Sequence, residues 1–213
     1  GEKIHVVLSK HIEGKLNYVF IGTVTDFFGP IDSVEALMNE YNVQLLVIDA
    51  EPEKRKVREL IAKFPNRIFG AYYPARKFDI QNYFMFDDFK AEVFIDRTIS
   101  IDYLISDIQN ENILLPSNSQ HIPEFYEQMT SSIRRPEMNL RTGQMTARWI
   151  NRGPDHYLMA SNYNRIAVQK GNVNQALLSS YQEEKKDGQN PFIPTSIAGW
   201  ANLVRMKGSN LGN

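Results

Sequence analysis

Two hydrophobic periods alternate along this chain, and their alternation predicts its elements. Residues 4–8 and 16–24 are rich in β-branched and aromatic side chains and flank Ile12-Glu13-Gly14-Lys15, a hairpin loop. The second run is apolar at consecutive positions (Tyr18, Val19, Phe20, Ile21), the mark of a strand covered on both sides. Phe28-Gly29-Pro30 ends it. Val34, Leu37, Met38 and Tyr41 then share one face of a helix over residues 33–41. Gln44-Leu45-Leu46-Val47-Ile48-Asp49 is a continuous aliphatic run closed by an acid, which predicts a central strand of a largely parallel sheet. On a second helix, over residues 54–64, Val57, Leu60, Ile61 and Phe64 turn inward and five Lys or Arg residues face out. Residues 67–73 return to strand character. Strand, helix, strand, helix, strand within about seventy residues argues for α/β layering.

The middle is less regular. Residues 78–89 are aromatic-rich and predict an irregular strand or hairpin, and 91–95 a short strand leading into Asp96-Arg97-Thr98. Ile101, Leu104, Ile105 and Ile108 mark a third helix, followed by a short strand at Ile113-Leu114-Leu115-Pro116. Pro123 suits the first turn of a fourth helix, with Phe125, Tyr126, Met129 and Ile133 as its apolar face. Thr142-Gly143 reads as a turn before a strand at residues 145–150.

Beyond Gly153-Pro154, Met159, Tyr163, Ile166 and Ala167 follow Asp155 at spacings of four, eight, eleven and twelve. Asp155 therefore opens an amphipathic helix on its core-facing side. A carboxylate there either caps the helix or looks into a site. Residues 176–181 can extend this helix, and residues 183–191 form a polar, turn-rich linker. Ile197, Trp200, Leu203 and Val204 in the tail have the spacing of a short helix with one apolar face. The expected organisation is one domain over residues 1–181, then a linker and C-terminal tail over residues 182–213.

Composition narrows the chemistry. The 213 residues are 42% hydrophobic and 23% charged, with no apolar run long enough to span a bilayer. A formal net charge of −1 provides no global field for a polyanion, so nucleic acid would need a local basic patch. The absence of cysteine rules out a disulfide framework, a thiolate metal site and a cysteine nucleophile. Neither a GxxxxGK[ST] phosphate loop nor a GxSxG elbow occurs, and the opening GEKIHVVLSKH has no signal-peptide pattern.

Asp49 closes the strongest strand, where ligands of open α/β sheets bind, although Asp is also a common strand terminator. If Asp49 and Asp155 meet, their repulsion calls for a cation between them, and hard carboxylate oxygens suit Mg²⁺ or Mn²⁺. Ions held in this way serve in-line phosphodiester cleavage. Arg134, Arg135, Arg141, Arg148 and Arg152 precede Asp155, with Glu137 the one acid among them. They read either as a phosphate-binding segment or as a solvated face with Arg134 and Arg135 complementing a helix C-terminus. His156 stands beside Asp155 as a proton shuttle or a structural histidine.

The order of these pieces resembles the nuclease domain of phage large terminases. The most specific of them are Val47-Ile48-Asp49-Ala50 and the segment DHYLMASNY that begins at Asp155. The resemblance covers about residues 3–170. It implies a ribonuclease H-like fold, an α/β architecture with a mixed central sheet flanked by helices on both faces. It also implies a metal-dependent endonuclease that cuts concatemeric viral double-stranded DNA during packaging with two Mg²⁺ or Mn²⁺ ions. Asp49 matches the second metal-binding acid and Asp155 the third. The first acid of that family lies on an opening strand, in a D-x-G sequence that has no counterpart here, so that strand and an ATPase domain are expected upstream. The implied partners are DNA, the portal ring and the small terminase subunit, in the host cytoplasm and without a membrane. The competing expectations are a packaging-motor domain that docks on DNA or portal with a degenerate site, and a resolvase or transposase of the same fold.

Overall fold

The computed structural model describes residues 3–51, 53–75, 78–116, 123–138, 143 and 145–186, with side chains as far as residue 172. The chain divides into two compact units, Gly1–Val168 and Gln169–Asn213. The first carries a mixed α/β fold.

A hairpin opens it. β1 (Ile4–Ile12) and β2 (Lys15–Val24) pair antiparallel through Glu13 and Gly14, both at positive φ (51° and 79°), as a two-residue turn between twisted strands requires. The register slips between Leu8 and Ser9, so that Val19 has no partner across the ladder. This bulge turns the lower half of β2 over. Leu16 and Tyr18 pack with Ile21, whereas unbroken alternation would put Tyr18 with Phe20. The consecutive apolar positions of β2 thus come from a flip of faces as well as from burial on both sides. β7 (Ile113–Leu114) joins β2 in parallel and completes the order β1-β2-β7.

A second sheet holds the parallel strands. β3 (Leu46–Asp49), β4 (Ile68–Tyr72) and β6 (Glu92–Ile95) run parallel in the order β3-β4-β6, and β5 (Phe84–Asp87) closes the far edge antiparallel. The irregular segment expected at residues 78–89 resolves into β5. A third sheet pairs β8 (Ser132–Met138) with β9 (Met145–Asn151). The central sheet expected from the sequence is therefore divided. Among the described residues β1 pairs only with β2 and β3 only with β4, so each presents an open edge.

The helical layers nevertheless span both sheets. α1 (Val34–Glu40), capped by the Ser33 hydroxyl at the Ala36 N–H, and α2 (Lys54–Lys63) form one layer. Their Leu37, Met38, Val57 and Leu60 pack with Val6 and Leu8 of β1 and with Ile68 of β4. On the opposite face lie α3 (Arg97–Gln109), α4 (Pro123–Thr130) and α5 (His156–Lys186). Tyr157 and Leu158 of α5 pack with Val7 and Ile21 over the first sheet, and Tyr163, Ile166 and Ala167 with Val47, Phe69 and Val93 over the second. Met159 touches both sets. Fully burying side chains such as Leu158 and Ile166, each 0% exposed, stabilises by about 1.5–3 kcal/mol apiece. Among the described residues no helix is long and apolar enough to cross a membrane.

Two expectations are corrected. Ile133 is not on the fourth helix, which ends at Thr130; it lies on β8. Arg134 and Arg135 accordingly sit on a strand rather than at a helix C-terminus. The polar segment SIRRPEM is a strand because β9 pairs with it residue for residue, and its own alternation does not announce it.

Candidate functional site

β3, β4 and β6 point their carboxyl ends in one direction, and the side chains of interest collect there. Asp49 is the last residue of β3. The chain turns immediately after it, and Asp49 Oδ1 accepts the Glu51 N–H at 3.0 Å. Its Oδ2 accepts the hydroxyl of Tyr163 at 3.0 Å, from the second turn of α5. An acid at the tip of an aliphatic strand must reach water or a partner, and Asp49 does both, being exposed as well as hydrogen-bonded.

Tyr73, just past β4, stacks on Tyr163 with ring centroids 6.3 Å apart. Part of the Tyr73 ring meets solvent, but desolvation of the hydroxyl end pushes its pKa well above the usual value. The nearby Asp49 charge pushes in the same direction, while Arg97 pulls it down. The Tyr163 hydroxyl is also raised, by burial first and then by Tyr73 and Asp49. Both groups are therefore neutral phenols, hydrogen donors rather than bases.

Arg97 follows β6, at the first helical position after Asp96, whose side chain caps α3 at the Ile99 N–H. Its Nη2 donates to Asp155 Oδ2 at 2.6 Å and to Asn151 Oδ1 at 2.7 Å. Asp155 begins α5 in the manner of an N-cap, its carbonyl accepting the Met159 N–H at 3.0 Å. Capping by side chain falls in part to a different residue: buried Gln128 of α4 accepts the Tyr157 N–H at 3.0 Å. The Asp155 backbone thus starts the helix while its carboxylate is directed to Arg97. Two turns on, Asn162 and Ser100, both 0% exposed, bond at 3.0 Å and tie α5 to α3.

His156 faces elsewhere. It stacks on His5 of β1 at 4.7 Å, and the His5 pKa is lowered, by burial first and by the His156 charge second. Of the five arginines, Arg134 holds Asp102 through a fork, Nε at 2.8 Å and Nη2 at 3.0 Å, and Trp149 Nε1 shares that carboxylate at 2.9 Å. These contacts dock one face of the β8–β9 hairpin on α3. Arg135 and Arg148 lie directly opposite each other on the other face, both exposed, and Arg148 is paired with Glu137 at 3.1 Å. Arg152 is exposed beyond β9. Arg141 and the apolar set of the tail lie outside the described residues.

Sequence reading missed Arg97 and Tyr73 and did not separate Tyr163 from the core. The available signal was position: each follows a parallel strand or shares the helical face of Asp155. In chemical terms the arrangement offers two hard carboxylates, two neutral phenols and a guanidinium. Asp49 and Asp155 have the oxygen donors that Mg²⁺ or Mn²⁺ takes at about 2.0–2.2 Å, and the Asp155 carboxylate is balanced by Arg97. Among the described residues no group of three or more His, Cys, Asp or Glu side chains is poised to hold a metal. Comparison of the chain with protein-family models, curated proteins and solved structures finds no match.

Proposed function

We propose that this chain is the nuclease domain of a DNA-packaging motor of the large-terminase type, a divalent-metal-dependent endonuclease with a ribonuclease H-like fold. The observation that carries this reading is the gathering of Asp49 and the Arg97–Asp155 pair about Tyr73 and Tyr163, at the carboxyl ends of parallel strands. Crevices of open α/β sheets bind ligands at such ends.

Two bound Mg²⁺ or Mn²⁺ ions would supply a hydroxide nucleophile at neutral pH and stabilise charge on the phosphate. Asp49 and Asp155 would hold them. Tyr163 fixes the Asp49 carboxylate by donating to Oδ2, which leaves Oδ1 toward the Glu51 turn. Arg135 and Arg148, exposed on one face of the hairpin, hold the DNA backbone through phosphates and so carry no base preference. His156, stacked on His5, has no step in this scheme. An upstream ATPase domain, the portal ring, the small terminase subunit and the host cytoplasm belong to the same proposal.

The test is nicking of plasmid DNA by the full-length protein in Mn²⁺ or Mg²⁺. Cutting should show no sequence preference and should disappear in Asp49→Asn and Asp155→Asn proteins whose circular dichroism is unchanged. If both variants cut at the parent rate, the two acids are structural. DNA binding without any cutting by the parent would favour a docking domain with a degenerate site.

A further inference from the structure

Among the described residues five tyrosines, Tyr18, Tyr73, Tyr83, Tyr157 and Tyr163, have hydroxyls that burial pushes above the usual value. Four of them are buried whole, none more than 7% exposed. Tyr73 is 37% exposed. Its hydroxyl end is desolvated beside Tyr163 and Asn162, so the part it shows to solvent is ring and stem. A tyrosine at a surface ordinarily does the reverse, packing its ring and wetting its hydroxyl. The inverted placement is held firmly. The Tyr73 ring stacks on that of Tyr163 with planes 29° apart, and the Tyr163 hydroxyl is tied to Asp49. Asp49 in turn lies opposite Ala71 in the β3–β4 ladder, two residues before Tyr73. The fold thus fixes a partly bare aromatic ring at the carboxyl ends of two parallel strands.

We infer that the exposed ring of Tyr73 is a stacking platform for an unpaired nucleobase. The inference rests on the reading of this chain as a DNA-processing domain, and it names the form of DNA that reaches the crevice. A base inside a duplex has both of its faces covered by neighbouring bases, so only one out of the stack can lie on a protein ring. Charge favours the base over its phosphate at this spot. Asp49 is exposed and negative, and Arg97 is committed to Asp155. A neutral, flat group meets no repulsion there, whereas a phosphate does. The ring is also pre-ordered by Tyr163, so little side-chain freedom is lost when a base settles on it.

The test is the affinity of the full-length protein for a thymidine oligonucleotide and for a duplex of the same length, measured by fluorescence anisotropy in EDTA at one salt concentration. Tyr73→Leu, which keeps apolar bulk without a ring, should lower the ratio of single-strand to duplex affinity about fivefold or more, the scale of one lost stacking contact. Tyr73→Phe keeps the ring and should hold the ratio near that of the parent, whatever the loss of its hydroxyl does to the melting temperature. If the Leu variant does not fold, the parent protein decides the matter with a second probe. An oligonucleotide of abasic sugars should bind it about fivefold more weakly than the thymidine strand. Equal affinity of the parent for those two strands, or an unchanged ratio in a folded Leu variant, overturns the inference and leaves Tyr73 with a purely structural role. Failure of the underlying reading looks different: the parent would then bind neither single strand nor duplex, and the inference falls with it.

Discussion

Tyr163 donates its hydroxyl hydrogen to Asp49 across 3.0 Å, joining residues 114 apart in sequence. A bond to a charged acceptor contributes about 1.5–3 kcal/mol, so Tyr163→Phe should lower unfolding stability by roughly that much. Urea titration followed by circular dichroism measures it. A loss under about 0.5 kcal/mol would show that water serves Asp49 equally well.

The raised tyrosines set an alkaline limit. Tyr163, Tyr73 and Tyr18 are all pushed above the usual value of 10.0, with burial the leading cause. The native chain keeps protons that the unfolded chain releases, so this stability is complete below about pH 10 and is lost as pH rises further. Urea midpoints should fall between neutral pH and strongly alkaline pH, with phenolate absorbance appearing together with unfolding. Free titration of every tyrosine in the folded protein would contradict this.

His5 sets a limit on the acid side. Its folded pKa lies below 6.5, so the unfolded chain takes up a proton first and stability declines as pH falls from that value through the folded pKa. The groups facing it are His156, Glu124 and Lys3, of which Glu124 opposes the shift. His5→Phe should flatten the decline, measured as the urea midpoint at mildly acid and neutral pH.

Arg165 is a costly charge to strand. It lies over the rings of Tyr103 and Tyr83 and is bonded to Asp107 and the Tyr83 hydroxyl. Asp107→Ala leaves a buried guanidinium short of its anion, and such losses run to about 3–5 kcal/mol. Replacing Asp107 and Arg165 together by apolar residues should cost less than the single change, which a double-mutant cycle in urea would reveal.

Arg135 and Arg148 face each other across the hairpin, and with Glu137 beside Arg148 that face keeps a net positive charge suited to an anion. Changing both to Gln should weaken DNA binding on any sequence and reduce the salt dependence by about 2 in slope, near one unit per phosphate contact. Arg134→Gln should instead loosen the hairpin, because Arg134 is committed to Asp102. An unchanged salt slope in the double variant would move the binding face elsewhere.

Much of the mixed α/β layering was legible because its signals are local. The aliphatic run ending in Asp49 is β3, and the 3.6-residue period after Asp155 is α5. The partners of those acids were not legible, since Arg97 and Tyr73 have no distinguishing neighbours in sequence and acquire roles only from the strand ends they follow. β8 was missed for a related reason. A polar strand is defined by what pairs with it, and a proline such as Pro136 is uncommon within one. The exchange of faces at Val19 lies outside any periodicity argument, because one unpaired residue inverts the pattern on which such arguments rest.

The open edges of β1 and β3 bear on how the molecule comes apart. No backbone ladder ties the two larger sheets to each other among the described residues, so side chains of α1, α2, α3 and α5 carry their cohesion. Ladder bonds break one by one along an edge, whereas a packed helix detaches as a unit. Loosening of α5 would therefore remove one whole face of the coupling between the β1–β2 hairpin and the parallel strands in one event, leaving α1 and α2 to hold the other. Amide exchange should report two blocks with separate protection, which converge only when α5 is held in place.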